Sequence, residues 1–263
     1  MGYNTTGKSH ELGLKAETII QEQMKNTPQL KKYLGGARNI ERRGGTKHKE
    51  DIAFIDSKGE ERGVSVKNRD HVAGTFDLIN TSKMAKNISA AAPAAEYMKE
   101  VKGSGIGPKR DTLVVKKVRD KFKEVAKSCL DQMSGKDLLQ ILSATFEPYL
   151  KKDLLIAVCY REEGVSRWMH IADHPVISMI ECNNTFFLKS GRGVTSAQIW
   201  ARDSSGQEIN TNLRLRLETN NGIGALLGGK RWSSNPTSSL VIKIQQDNPD
   251  SLWDVVKHET FSL

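Results

Sequence analysis

The stretch from Gly44 to Asp70, GGTKHKEDIAFIDSKGEERGVSVKNRD, constrains the fold more than any other. It reads as a turn, a strand opened by Asp51, a polar hairpin loop around Ser57-Lys58-Gly59, and a second strand that delivers Lys67. Side chains alternate along a strand, so Val64 and Val66 point one way while Ser65 and Lys67 share the other face. If Asp51 opens the antiparallel neighbour, its carboxylate is expected to reach the Ser65 and Lys67 face. An acid-bearing strand beside a lysine-bearing one makes a place for a metal ion and a phosphate.

The charge of the chain agrees with a polyanionic partner. Lys and Arg number 40 against 31 Asp and Glu in 263 residues, a formal net charge of +9 that favours nucleic acid first and an anionic membrane surface second. No segment approaches the roughly 20 consecutive apolar residues of a spanning helix, so the membrane alternative is set aside. The first residues, MGYNTTGKSHELG, contain no apolar signal-peptide core, and a cytoplasmic protein is expected. Cys129, Cys159 and Cys182 lie far apart with no CxxC pair, which argues against a disulfide framework or a zinc finger. His170 and His174 are the only close histidine pair, and Pro175 beside them makes a strand-to-loop junction the expected setting rather than a metal site.

Along the chain, residues 7 to 25 carry apolar positions at helical spacing, and a short helix over Pro28 to Leu34 is expected to end at Gly35-Gly36. Arg38 to Arg43 reads as a basic link, Ile52 to Ile55 and Arg62 to Asn68 as the two strands of the hairpin, and Thr75 to Ala90 as a helix carrying Lys83 and Lys86. The stretches Ala90 to Ala95 and Gly103 to Pro108 bracket a segment expected to be a mobile insertion. Asp111 to Leu130 and Ser134 to Leu150 read as amphipathic helices, the second opened by a serine cap and ending near Pro148. From Asp153 onward the texture is β, from DLLIAVCYR through PVISMIEC to SLVIKIQQD. Alternation is clearest over Leu213 to Leu217, with leucines on one side and Arg214 and Arg216 on the other. Asn220 to Trp232 is glycine-rich and reads as a loop or short helix.

At Asp51 and Ser65-Val66-Lys67 the sequence resembles the PD-(D/E)XK nuclease superfamily, whose core places an aspartate on one strand and an acid, one spacer and a lysine on the next. Two departures stand out: Lys49-Glu50 occupies the place where a proline can precede the aspartate, and Ser65 replaces the usual acid. The lead-in GGTKHKED and the SVKN segment are similar to those of small type II restriction endonucleases of the MspI kind, and GKSHE resembles their first helix. The resemblance implies an α/β (α+β) fold, a restriction-endonuclease-like mixed sheet flanked by helices with a β-rich C-terminal half. It implies one domain over residues 1–263, a catalytic core to about residue 160 and a DNA-recognition part from about 161.

The implied activity is Mg²⁺-dependent hydrolysis of double-stranded DNA by a type II restriction endonuclease, a monomer or homodimer paired with a cognate DNA methyltransferase. Another DNA nuclease of the superfamily, or a non-catalytic DNA-binding protein on the same fold, is the alternative. The implied catalytic set is Asp51, Ser65, Lys67 and Glu11, with Asp51, Glu11 and the carbonyl of Val66 as metal ligands; Glu11 makes up for the acid that Ser65 lacks. Base contacts are expected from Arg214, Arg216, Lys230 and Arg231, with Lys47, Lys49, Arg69 and Lys83 as further DNA-binding residues.

Overall fold

The computed structural model describes residues 5–43, 50–69, 75–81, 87–103, 112–191, 193–219, 238–245 and 252–263. The fold is mixed α+β, with a β-rich C-terminal half. The chain divides into two compact units: Met1–Gly74, Phe146–Ile177 and Gln246–Leu263 form the first, Thr75–Thr145 and Ser178–Gln245 the second. The expected division near residue 160 does not fall there, because the last strand of the chain returns to the sheet that holds the hairpin.

In the first unit, α1 (Thr5–Asn26) and α2 (Pro28–Tyr33) precede β1 (Arg38–Arg42), β2 (Ile52–Ile55) and β3 (Glu61–Arg69). The sheet is completed by β5 (Leu155–Tyr160), β6 (Val165–His170) and β11 (Glu259–Ser262) in the order β1-β2-β3-β5-β6-β11. Among the described strands of this sheet, only β3 and β5 run parallel. Helix α1 lays Ala16, Ile20 and Met24, spaced at one helical turn, against Ile52, Phe54, Val64, Leu155, Ala157, Cys159 and Trp168. The basic link expected over Arg38 to Arg43 is instead the edge strand β1; its polar, exposed residues suit a strand with one side open to water.

The hairpin turn follows from Asp56, which is buried and accepts the N–H groups of Lys58 and Glu60 at 2.9 and 3.0 Å. Gly59 supplies the left-handed residue (φ +85°).

The second unit holds a five-stranded antiparallel sheet in the order β4-β10-β9-β8-β7, built from β4 (Thr75–Thr81), β7 (Thr185–Ser190), β8 (Ser196–Arg202), β9 (Glu208–Thr219) and β10 (Ser238–Gln245). Helices α3 (Ala92–Gly103) and α4 (Thr112–Asp131) pack together and against it. The helix expected over Thr75 to Ala90 is thus corrected: its first part is β4, whose partner β10 lies some 160 residues further on, out of reach of any local pattern. The segment expected to be a mobile insertion is helix α3 over Ala92–Gly103, with Ala94, Ala95, Met98 and Val101 buried. Leu213, Leu215 and Leu217 are buried while Arg214 and Arg216 face outward, as the alternation predicts.

Helix α5 (Gly135–Lys151) opens on a reciprocal cap, in which Ser134 Oγ accepts the Asp137 N–H at 3.1 Å and Asp137 accepts the Ser134 N–H at 3.0 Å. Pro148 lies inside this helix rather than ending it, since Phe146 and Tyr149 on either side are buried and hold the last turn. The PVISMIEC stretch is corrected from β to the short helix α6 (Val176–Glu181), with Pro175 just before its first turn. A last short helix, α7 (Leu252–Val255), precedes β11. Among the described residues no helix is long and apolar enough to cross a membrane.

His170 ends β6, and His174 follows the 3-10 turn Ile171–Asp173, the junction that Pro175 suggested. His174 is 1% exposed, accepts the Val176 N–H on Nδ1 at 3.3 Å, and is held neutral by burial, its pKa pushed down to about 3 from 6.5. A folded-state pKa below the unfolded one means that the unfolded chain takes up the proton first as pH falls. Stability is therefore expected to drop by about 1.4 kcal/mol per pH unit between 6.5 and 3 on this account, and His174→Gln should flatten that slope in urea titrations.

Gly63 on β3 faces Leu154 and Glu50, and a Cβ there would lie 2.6 Å from Leu154 Cδ2 and 2.7 Å from Glu50 Cβ. Gly63→Ala is expected to cost about 1–3 kcal/mol in the same titrations.

Candidate active site

The hairpin register runs from Ile55↔Glu61 to Ile52↔Val64, and the Asp51 N–H closes it by donating to the Val64 carbonyl at 2.9 Å. One residue beyond the ladder, the Asp51 side chain turns along β3. Its Oδ2 accepts the Val66 N–H at 2.7 Å and lies 3.4 Å from Ser65 Oγ, which donates to it. Val64 belongs to the core under α1 and Val66 packs against that core, so Ser65 and Lys67 face the other way, with Asp51. Within an antiparallel pair a residue's N–H and C=O point to the same edge. Because Val64 serves the β2 edge, so does Val66 two residues on, which directs its carbonyl toward the Asp51 carboxylate.

Burial pushes the Asp51 carboxyl above the usual aspartate value of 3.8. The Val66 N–H, the Lys67 charge and the Ser65 hydroxyl pull it back, while the charge of Glu17 adds to the rise. The Tyr149 hydroxyl on α5 is hydrogen-bonded with Ser65, and burial together with the Asp51 charge pushes its pKa up to about 12. Tyr149 therefore stays protonated and lines the same face.

The structure brings Asp51, Ser65, Lys67 and the Val66 backbone together. It does not bring Glu11 to them: Glu11 is paired with Lys15 at 2.9 Å on an exposed stretch of α1, its side chain 64% exposed. The helix acid whose charge reaches Asp51 is Glu17, 16% exposed and paired with Arg42 on β1 at 2.7 Å. Glu17 precedes Ile20 by three residues and Met24 by seven, which sets it on the buried stripe of α1, whereas Glu11 lies on the opposite side. That spacing is legible in the sequence. Tyr149 had no sequence signal, because it lies on a helix, 82 residues beyond Lys67.

Glu50, the neighbour of Asp51, is also buried, but it is met by Lys152 at 3.0 and 3.1 Å and by Arg43 at 3.5 Å. Arg69 ends β3 half-buried, with Nη1 donating to the Asn68 carbonyl at 2.9 Å. Arg214 and Arg216 are on β9 of the second unit, where Arg214 donates to Gln245 at 3.1 Å and Arg216 pairs with Glu218 at 3.0 Å. Lys47, Lys49, Lys83, Lys230 and Arg231 lie outside the described residues. Among the described residues no three His, Cys, Asp or Glu side chains converge. No family model matches the chain, and no curated protein matches it.

A carboxyl with a raised folded-state pKa favours folding below the unfolded value and loses that contribution as pH rises through the folded one. Asp51→Asn keeps an oxygen acceptor for the Val66 N–H and sheds the buried charge. It is expected to raise the thermal midpoint of the metal-free protein at pH 7, with the gain vanishing below pH 3.8. An unchanged midpoint at pH 7 would show that Asp51 carries no buried-charge cost.

Proposed function

We propose that the chain is a Mg²⁺-dependent nuclease that hydrolyses phosphodiester bonds of double-stranded DNA, and more finely a type II restriction endonuclease working beside a DNA methyltransferase. The observation that carries this reading is the placement of Asp51, Ser65 and Lys67 on one face of the hairpin, with the Asp51 carboxylate anchored on the Val66 N–H. The oxygen donors suit a hard cation that keeps several of its waters: the Asp51 carboxylate, the Val66 carbonyl and the nearby Glu17. These residues would hold Mg²⁺, which when bound offsets phosphate charge and acidifies water.

The protein's own groups do the rest. Lys67 places a positive charge where the attacking water and the phosphate oxygens meet, so that it orients the water and stabilises negative charge growing on the phosphate. Ser65 fills the position of an acid with a hydroxyl that bonds Asp51 and Tyr149, and so fixes the carboxylate's orientation. Tyr149, on α5, stays neutral and adds no second negative charge to repel the phosphate. The attacking water gives up a proton to solvent as its oxygen bonds to phosphorus and the bond to the sugar oxygen breaks, and the leaving sugar oxygen takes up a proton from solvent water.

A second reading, DNA binding without cleavage, is favoured by the serine at Ser65 and by the lack of three converging metal-ligating side chains among the described residues. Plasmid and synthetic duplexes with Mg²⁺ decide between them. Lys67→Ala is expected to lower kcat by about 10²–10³ or more. Glu17→Gln should raise the Mg²⁺ concentration needed for half-maximal cutting, and Glu11→Gln should leave it unchanged. No cutting by the wild type over a wide range of duplexes, or equal cutting by Lys67→Ala, would sink the nuclease reading.

A further inference from the structure

Arg167 on β6 stands opposite Val158 on β5, which stands opposite Lys67 on β3, so the three share one face of the sheet. The neighbouring row, Trp168, Ala157 and Val66, lies in or against the core under α1 and fixes the assignment of faces. Lys67 and Arg167 are thus two strand spacings apart, about 10 Å, on the side that carries Asp51.

The guanidinium is set against a rigid plate. Its Cζ lies 5.5 Å from the Trp253 ring and 5.9 Å from the Tyr160 ring; both rings are buried, and Trp253 Nε1 donates to the Tyr160 hydroxyl at 2.8 Å. Arg167 is itself half-buried, and its Nε is buried without an acceptor. Every other half-buried arginine among the described residues donates to an oxygen: Arg43 to Glu61, Arg62 to Asp153, Arg69 to the Asn68 carbonyl, Arg161 to the Asn68 side chain and Arg214 to Gln245. Arg167 has no such oxygen among the described residues. Contact with aromatic rings offsets part of the cost of removing a guanidinium from water, but it leaves the planar donor fork unused, and that fork matches a phosphate. The surface arginine Arg216 and the half-buried Lys243 on the second sheet, by contrast, are both answered by Glu218.

We propose that Arg167 is a substrate-binding residue that holds a backbone phosphate of the DNA, a different phosphate from the one facing Lys67, so that the bound strand runs across β3, β5 and β6. This rests on the nuclease reading for the identity of the polyanion. The test is binding of the full chain to a labelled duplex in EDTA over a series of salt concentrations, beside cleavage in Mg²⁺. Arg167→Met keeps an unbranched side chain on the two rings and removes the charge. It is expected to weaken binding about 10- to 100-fold and to reduce the slope of log affinity against log salt by about 0.9. In cleavage it should raise KM with kcat little changed. Arg167→Lys should keep the salt slope and still bind more weakly, because the fork is lost. Wild-type affinity and slope in Arg167→Met, with cutting intact, overturns the assignment and leaves the nuclease reading standing. If Arg167→Met does not fold, Arg167→Lys decides: weaker binding at an unchanged slope supports the assignment, and unchanged affinity and KM overturn it. A wild type that neither binds nor cuts DNA removes both proposals.

Discussion

The antiparallel register that sets Ile52 opposite Val64 is the constraint on which the rest of the candidate site depends. Strand side chains alternate with a period of two, so a slip of one residue would carry Ser65 and Lys67 into the core under α1 and turn Val64 and Val66 outward. The register is held by apolar burial. Ile52, Phe54, Val64, Leu155 and Trp168 are each at most 1% exposed and all lie in the core under α1. Burying side chains of this size stabilises by about 1.5–3 kcal/mol each, far more than the single hydrogen bond from Val66 N–H to Asp51 contributes. The polar residues of the site are therefore positioned by their apolar neighbours, residue by residue.

The fold treats two adjacent acids, Glu50 and Asp51, in different ways. Glu50 is 3% exposed and answered inside the protein by Lys152 and Arg43, as a buried charge must be if it is to persist. Asp51, one residue on, receives an amide, a hydroxyl and the distant help of Lys67, yet its pKa is still raised. Burial is the largest influence on it, and the neighbouring Glu17 works in the same direction. Groups perturbed by burial in this way gather at functional sites.

The hairpin, its alternation and its turn were legible in the sequence because all three depend on residues within about 20 positions of one another. So were α1, α4 and the cap of α5, where helical spacing and Ser134 mark the elements. The strand β4 was not, since β10 supplies its pairing from far along the chain. The helix α3 was hidden by a run of alanines and Pro93 that suggested a linker. At the site the distinction is the same. Asp51, Ser65 and Lys67 come from one local motif, whereas the exchange of Glu11 for Glu17 depends on which side of α1 meets the sheet. Tyr149 and Arg167 depend on β5 and β6 joining the hairpin after a gap of 85 residues between β3 and β5.

The sheet order explains why these residues meet at one end. β2 runs antiparallel to β3, so the start of β2, where Asp51 sits, lies beside the far half of β3, where Lys67 sits. β5 runs parallel to β3 and ends at the same level, with Tyr160 opposite Arg69. β6 turns back antiparallel, so its first residues return to that end and Arg167 falls in line with Lys67. Two strand ends and two strand starts thus converge at the carboxyl end of the parallel pair β3 and β5. There the hairpin contributes an acid and a lysine, and β6 contributes an arginine backed by Tyr160 and Trp253. Had β5 run antiparallel to β3, its carboxyl end would lie at the opposite side of the sheet, and β6 would carry Arg167 there with it. The parallel pairing of β3 with β5 is what places a second cation on the Asp51 face, in line with Lys67.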